Sequence, residues 1–205
     1  MAKKYAITTG GTGYVGSAVT DMLVTHGFEV TNMGRAVCDL ADPHATHSAA
    51  EKILAEKGAP DIIIHMACPP TTRKALEDTA EEETRIEFAV AMGAAEILAH
   101  TFLPHMKQGS VFIGMTTASL EKEEPEKNIG AYIPAKAALR ALLKNLSSEW
   151  GKKGIRVFDV APTFLPGGLN KHIPEGVRNL LARQKDGTIP TAGDVAKTIE
   201  KLIQG

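Results

Sequence analysis

Apolar residues in this chain fall into short β-rich runs, separated by stretches in which they recur at helical spacing. The run KYAITT, residues 4–9, has the composition of a strand. After it, Val15, Ala18, Val19, Met22 and Leu23 line one helical face until Gly27 stops the helix. FEVTNM (28–33) predicts a second strand. Asp42 as cap, Pro43 at the first helical position and Gly58 as stop bound the next helix. DIIIHMA (61–67) is continuously apolar, as expected of a strand buried on both faces of a parallel sheet. Thr79 and Glu82 have capping-box spacing at the head of a long helix running towards Pro104. Two more strands, SVFIGM (110–115) and IRVFDVA (155–161), flank a helix over 131–150. A second capping box, Thr191 with Asp194, precedes the helical spacing of 195–203. This alternation predicts an α/β fold: an open, doubly wound, Rossmann-like parallel sheet of about six strands in one domain over residues 1–205.

Composition narrows the partners. With 43% hydrophobic and 23% charged residues and a formal net charge of -1, the chain lacks the basic footprint of a nucleic-acid binder or of a protein drawn to anionic membranes. Neither partner is expected. No apolar run reads as a transmembrane segment and none forms a signal-peptide core before the first glycine turn, so the cytoplasm is the expected location. Cys38 and Cys68 are too few for a disulfide framework and lack metal-ligand spacing. His26, His44, His47, His100, His105 and His172 form no ligand pattern either, so no metal is expected. His65 ends an apolar strand and reads as structural. EKEEPEK (121–127) reads as a solvated loop.

The glycines carry the first chemical signal. Gly10, Gly13 and Gly16 stand where a strand hands over to a helix. In a doubly wound sheet, glycines there permit a tight turn, close backbone approach to a pyrophosphate, and close packing of helix on strand. The helix N-terminus then offers unpaired N–H groups and a favourable dipole to the anion.

Taken in order, these pieces resemble the short-chain dehydrogenase/reductase family over nearly the whole chain. TGGTGYVG (9–16) is similar to its glycine motif, and CDLAD (38–42) to the motif whose acidic residue contacts adenine. DIIIHMAC (61–68), GSVFIGMTT (109–117), YIPAK (132–136) and VAPTF (160–164) match later motifs. The resemblance implies an oxidoreductase that interconverts a carbonyl and an alcohol on a small molecule. It implies cofactor contacts at Gly10, Thr12, Gly13, Tyr14, Val15, Gly16, Arg35, Asp39, Leu40, Met66, Ala67 and Cys68, at Pro162, Thr163 and Phe164, and at Tyr132 and Lys136. It implies Tyr132 as proton donor and Lys136, on the same helical face, as the cation that stabilises the phenolate. Thr116 aligns with the substrate-holding hydroxyl, Thr117 being the alternative one residue on.

Other features refine that expectation. Strand 28–33 leads into Gly34, where an acidic residue would exclude a 2′-phosphate, and Arg35 follows, so NADP(H) is expected over NAD(H). The segment 163–190, with Gly167 and Gly168 as hinges, is expected to cover the substrate. Helices within 87–102 and 131–143 carry small and apolar residues on more of their circumference than one sheet face covers, which with the resemblance implies a homodimer. Departures are also present. Ala91 stands where the family's long helix carries a relay asparagine, a place for water or His65 to fill, and His65–Cys68 replace the family's NNAG. The family's third strand must be short or vestigial, and its final strand is expected to be absent. These departures raise a second function, a dinucleotide-binding regulatory or sensor protein with little turnover. An epimerase or dehydratase is a third, disfavoured because it needs a larger C-terminal domain.

Overall fold

Five parallel strands, β1 (Lys4–Thr9), β2 (Phe28–Met33), β3 (Ile62–His65), β4 (Val111–Met115) and β5 (Arg156–Val160), make one sheet in the order β2-β1-β3-β4-β5. The computed structural model describes residues 4–70, 74–124, 127–184 and 186–205; Pro125 and Glu126 of the expected acidic loop lie outside the described residues. The helices are α1 (Tyr14–Thr25), α2 (Pro43–Lys57), α3 (Glu81–Phe88), α4 (Ala94–Phe102), α5 (Tyr132–Trp150), α6 (Glu175–Ala182) and α7 (Ala192–Gln204).

The inner strands β1, β3 and β4 are buried on both sides, which is why DIIIHMA reads as a nearly unbroken apolar run, while the edge strands β2 and β5 are only partly buried. Ile62 and Ile64 face α1 and α7, joining Val19, Leu23 and Ile199. Ile63 faces the other way, joining Leu98, Phe102 and Leu139. Each such fully buried aliphatic side chain contributes roughly 1.5–3 kcal/mol. Local signals set the element ends. The Asp42 carboxylate caps α2 by accepting from His44 N at 2.9 Å and Ala45 N at 3.2 Å, and the Thr191–Asp194 pair caps α7.

Three expectations are corrected. The sheet has five strands among the described residues instead of about six, because residues 34–42 form turns. Val37 N and Cys38 N both donate to Gly34 O, and Asp39 turns back on itself by accepting from Ala41 N at 2.9 Å. Cys38 and Leu40 still reach the core, from a loop. The third helix is capped one residue later than expected: Ala80 N donates to Glu83 Oε2 at 3.0 Å, while the Thr79 hydroxyl donates to Ala75 O. Finally, the continuous helical stretch Glu81–His105 is long and apolar enough to cross a membrane, with a mean hydropathy of 1.4, which the sequence reading missed. Ala94, Leu98 and Phe102 within it are fully buried against the sheet, and a π-helical turn over Ala89–Gly93 separates α3 from α4.

Strand β2 lies on one side of β1 and β3 on the other. Such a switch in winding direction opens a crevice at the carboxyl ends of the strands, where doubly wound sheets bind ligands.

Candidate active site

The glycine turn sits in that crevice. Gly10 has φ 67°, and a Cβ there would come within 2.9 Å of Ala67 N. A Cβ at Gly16 would run into the Gly10 carbonyl. Only glycine lets the turn close this tightly against both β3 and α1. Gly13 caps α1 with no side chain, leaving the positive end of the helix dipole facing the turn. Asn32, at the end of β2, steadies it by accepting from Gly11 N at 2.9 Å. Thr12, Gly13 and Tyr14 are exposed and Val15 half-buried. This cradle, with no room for a Cβ and an open helix N-terminus, fits the pyrophosphate of a dinucleotide. Arg35 stands exposed just past β2, Asp39 is exposed beside the buried Leu40, and none of the three touches the glycine turn through a described hydrogen bond.

Across the crevice, the ends of β1 and β3 are tied together through buried side chains. His65 is fully buried; its Nε2 donates to Ala91 O at 3.0 Å, so its Nδ1 accepts from the Thr9 hydroxyl at 2.8 Å. The Thr9 oxygen in turn accepts from Met66 N and Ala67 N at 3.1 and 3.2 Å. Burial, with the Lys136 charge nearby, pushes the His65 pKa down to about 3. His65 therefore has no proton free for a relay, and it holds the π turn, including Ala91, against the sheet. Met66 and Ala67 are buried and Cys68 half-buried.

A second polar cluster belongs to α5 and to the ends of β4 and β5. Tyr132 opens α5, half-buried, and Lys136 follows one turn on. The Lys136 side chain is 3% exposed; its ammonium donates to Met115 O at 2.8 Å and lies 5.8 Å from the centre of the Tyr132 ring. Burial lowers its pKa, opposed by the charges of Cys68, Glu87 and Asp159. Thr116, the residue after that carbonyl, donates its hydroxyl proton to Asp159 Oδ1. Arg140 Nε donates to Asp159 Oδ2 at 2.7 Å and its Nη1 to Glu121 Oε1 at 2.5 Å. The Thr117 oxygen accepts from Ser119 N at 3.3 Å.

A cavity of about 560 Å³ opens beyond these strand ends, between Ala118 and Ser119 on one side and Thr163, Phe164, Leu181 and Arg183 on the other. Neither Tyr132 nor Lys136 lines it. Pro162 O accepts from Ala118 N at 2.9 Å, joining the two rims. The Tyr14 ring lies against Gly167, where a Cβ would come within 2.5 Å of it, so the glycine turn touches the expected hinge. Sequence reasoning missed Ser119, Arg140 and Asp159. Asp159 did leave a signal, as an acidic residue near the end of the strand run IRVFDVA, and Arg140 continues the helical face of Tyr132 and Lys136.

Comparison with known proteins gives the same picture. The chain is 27% identical to a tropinone reductase homolog of Arabidopsis thaliana over 86% of its own length and 65% of that protein's, so it spans about two thirds of that relative. It is 27% identical to (+)-borneol dehydrogenase 1 of Salvia officinalis, covering 95% of this chain and 84% of the other. A short-chain dehydrogenase from Burkholderia cenocepacia, solved in complex with NADP, superposes with a TM-score of 0.86 at 20% identity, covering 98% of this chain and 90% of that one. A family model described as enoyl-(acyl carrier protein) reductase matches residues 17–204. With that match over almost its entire length, the chain belongs to the short-chain dehydrogenase/reductase family of NAD(P)-dependent oxidoreductases.

Proposed function

We propose that this protein uses NADP(H), in preference to NAD(H), to interconvert a carbonyl and an alcohol on a small molecule. The observation that carries the reading is the Lys136 ammonium, buried on a strand-end carbonyl and facing the Tyr132 ring at 5.8 Å. A buried cation beside a phenol has one obvious use: a phenol ordinarily titrates near 10, and a neighbouring positive charge makes its anion accessible at neutral pH.

Gly10, Thr12, Gly13, Tyr14, Val15 and Gly16 would hold the pyrophosphate, Arg35 the 2′-phosphate, and Asp39 and Leu40 the adenine. Met66, Ala67, Cys68, Pro162, Thr163 and Phe164 would flank the nicotinamide half, with Tyr132 and Lys136 at its ribose. Bound there, the nicotinamide supplies or takes up the hydride. Tyr132 gives its phenolic proton to the carbonyl oxygen during reduction and takes it back during oxidation. Lys136 stabilises the phenolate in between, and Thr116, or Thr117 one residue on, holds the substrate oxygen. The segment 163–190 covers the substrate, the chain works as a homodimer, and it resides in the cytoplasm. The relative solved with NADP supports the cofactor choice.

The test begins with NADPH and NADH titrated into wild type and Arg35→Ala. Loss of a charge-assisted contact predicts a fall of about tenfold in the NADPH preference; an unchanged ratio removes Arg35 as the reader. A panel of cyclohexanone, acetophenone, benzaldehyde and ethyl acetoacetate, followed at the nicotinamide absorbance, then asks for turnover. Binding without turnover of any carbonyl or alcohol would leave a dinucleotide-binding regulatory protein instead.

A further inference from the structure

We propose that Tyr14 is a positioning residue which couples the two ligands of the site: with a dinucleotide on the glycine turn, its ring holds the strap 163–184 in the shape that forms the substrate cavity. The proposal rests on the oxidoreductase reading above, in which the glycine turn takes the cofactor and this segment covers the substrate.

The strap crosses the glycine turn at Gly167 and Gly168, and the two glycines answer different demands. Gly168 has φ 64°, a left-handed conformation that strains other residues. Gly167 has φ -120° and ψ -169°, which any residue adopts, so its backbone does not call for glycine. The Tyr14 ring does. A Cβ on Gly167 would come within 2.5 Å of Cε2, 2.6 Å of Cζ and 2.7 Å of Cδ2, all carbons of that ring. A Cβ on Gly168 would lie 3.2 Å from the Tyr14 Cβ. The backbone of the strap therefore rests directly on an aromatic side chain.

Tyr14 has one end in each site. As the first residue of α1, it contributes one of the N–H groups that a helix cannot pair internally and that an anion on the turn would accept from. An anion held there fixes the backbone from which the ring projects to the strap. The strap has few other holds. Leu165 packs against the core just before the crossing, and Ala182 is buried beyond it. Between them, Val177 and Leu180 of α6 are 48% and 72% exposed, so that helix contributes little apolar burial of its own. Both ends of the strap line the cavity, Thr163 and Phe164 on one side of the crossing and Leu181 to Gln184 on the other. A segment anchored so sparsely takes its shape from the ring it rests on. Whatever the cofactor then adds to substrate affinity, the substrate adds to cofactor affinity.

The experiment reads the strap directly. Trypsin cleavage after Lys171, Arg178 and Arg183 is timed with and without saturating NADPH in wild type, Tyr14→Ala, Tyr14→Phe and Gly167→Ala. NADPH is expected to slow cleavage about tenfold in wild type, as for an ordinary coupling between two sites, and less than about twofold in Tyr14→Ala. Tyr14→Phe keeps the ring carbons that touch Gly167 and is expected to recover the protection. Gly167→Ala pushes the strap off the ring and is expected to lose it. KM for the panel's best carbonyl should rise about tenfold in Tyr14→Ala and in Gly167→Ala. The double variant should be no worse than either, because the added methyl has no ring to meet. A merely structural role would give additive effects and leave the NADPH protection in place. Equal protection in wild type and Tyr14→Ala, no recovery in Tyr14→Phe, or additive KM effects overturn the proposal. If Tyr14→Ala does not fold, Gly167→Ala decides: lost protection supports the coupling and wild-type protection overturns it. Carbonyl turnover by wild type keeps the oxidoreductase reading whatever the strap does. Protection without turnover of any couple overturns that reading and leaves the coupling in place, and a wild type that does not bind NADPH overturns both.

Discussion

Two polar clusters sit at the carboxyl edge of the same sheet, one between β1 and β3 and one between β4 and β5, and they are built in opposite ways. In the first, Thr9, His65 and the Ala91 carbonyl close a circuit in which both ring nitrogens of His65 are used and the ring stays neutral. In the second, the Thr116 hydroxyl is tied to Asp159, which Arg140 links to Glu121, and the Lys136 ammonium sits on the neighbouring Met115 carbonyl. The closed circuit can hold backbone in place but has no proton to move. The charged cluster stands beside a phenol whose protonation a cation can control. His65 and Lys136 are almost equally buried and burial lowers the pKa of both, but nearby negative charge opposes the shift at Lys136, whereas the Lys136 charge adds to it at His65.

That contrast predicts that substitutions at the two ends fail differently. The largest effect is expected for Lys136→Met, which should lower turnover by roughly 10²–10⁴-fold, the usual weight of general acid–base help. Its melting temperature should stay near wild type, since removing a buried ammonium relieves about as much desolvation as the lost hydrogen bond returned. His65→Ala should do the reverse. Losing the ring and stranding Thr9 and Ala91 O should cost about 2–4 kcal/mol of stability, read by urea unfolding, while the folded fraction retains its turnover. If His65→Ala instead stays stable and loses activity, the division of roles is wrong.

A smaller effect should appear with pH. The unfolded chain protonates His65 near the ordinary 6.5, whereas the folded ring resists until about 3. Its contribution is complete above pH 6.5 and declines as pH falls towards 3. At pH 5 the loss from this residue should be about 2 kcal/mol relative to pH 7. Unfolding of wild type and His65→Gln at both values measures it, the glutamine amide being able to donate to Ala91 O without titrating. Equal pH dependence in the two would show that His65 protonates freely in the folded protein.

Local signals made much of the fold and part of the site legible. KYAITT and FEVTNM fold as read because β-branched and apolar residues in a short run leave few alternatives, and Asp42, Gly58 and Thr191 act through neighbours within a few residues. The glycine turn and the Tyr132–Lys136 spacing are local in the same sense. The short or vestigial third strand expected before CDLAD is absent among the described residues because the bonds of Gly34 and Asp39 close turns there. The π turn over Ala89–Gly93 left no mark that composition could carry, since its small residues suit an α-helix equally well. The Thr116–Asp159–Arg140 chain joins positions 19 and 43 residues apart, so only the folded sheet brings it together.

Tyr132→Phe tests the central claim most directly, because it deletes a single proton and little else. Turnover of a panel substrate and NADPH affinity should be measured on the same preparation. Turnover should fall by at least about 10²-fold with NADPH binding nearly unchanged. Wild-type turnover in Tyr132→Phe would contradict the account.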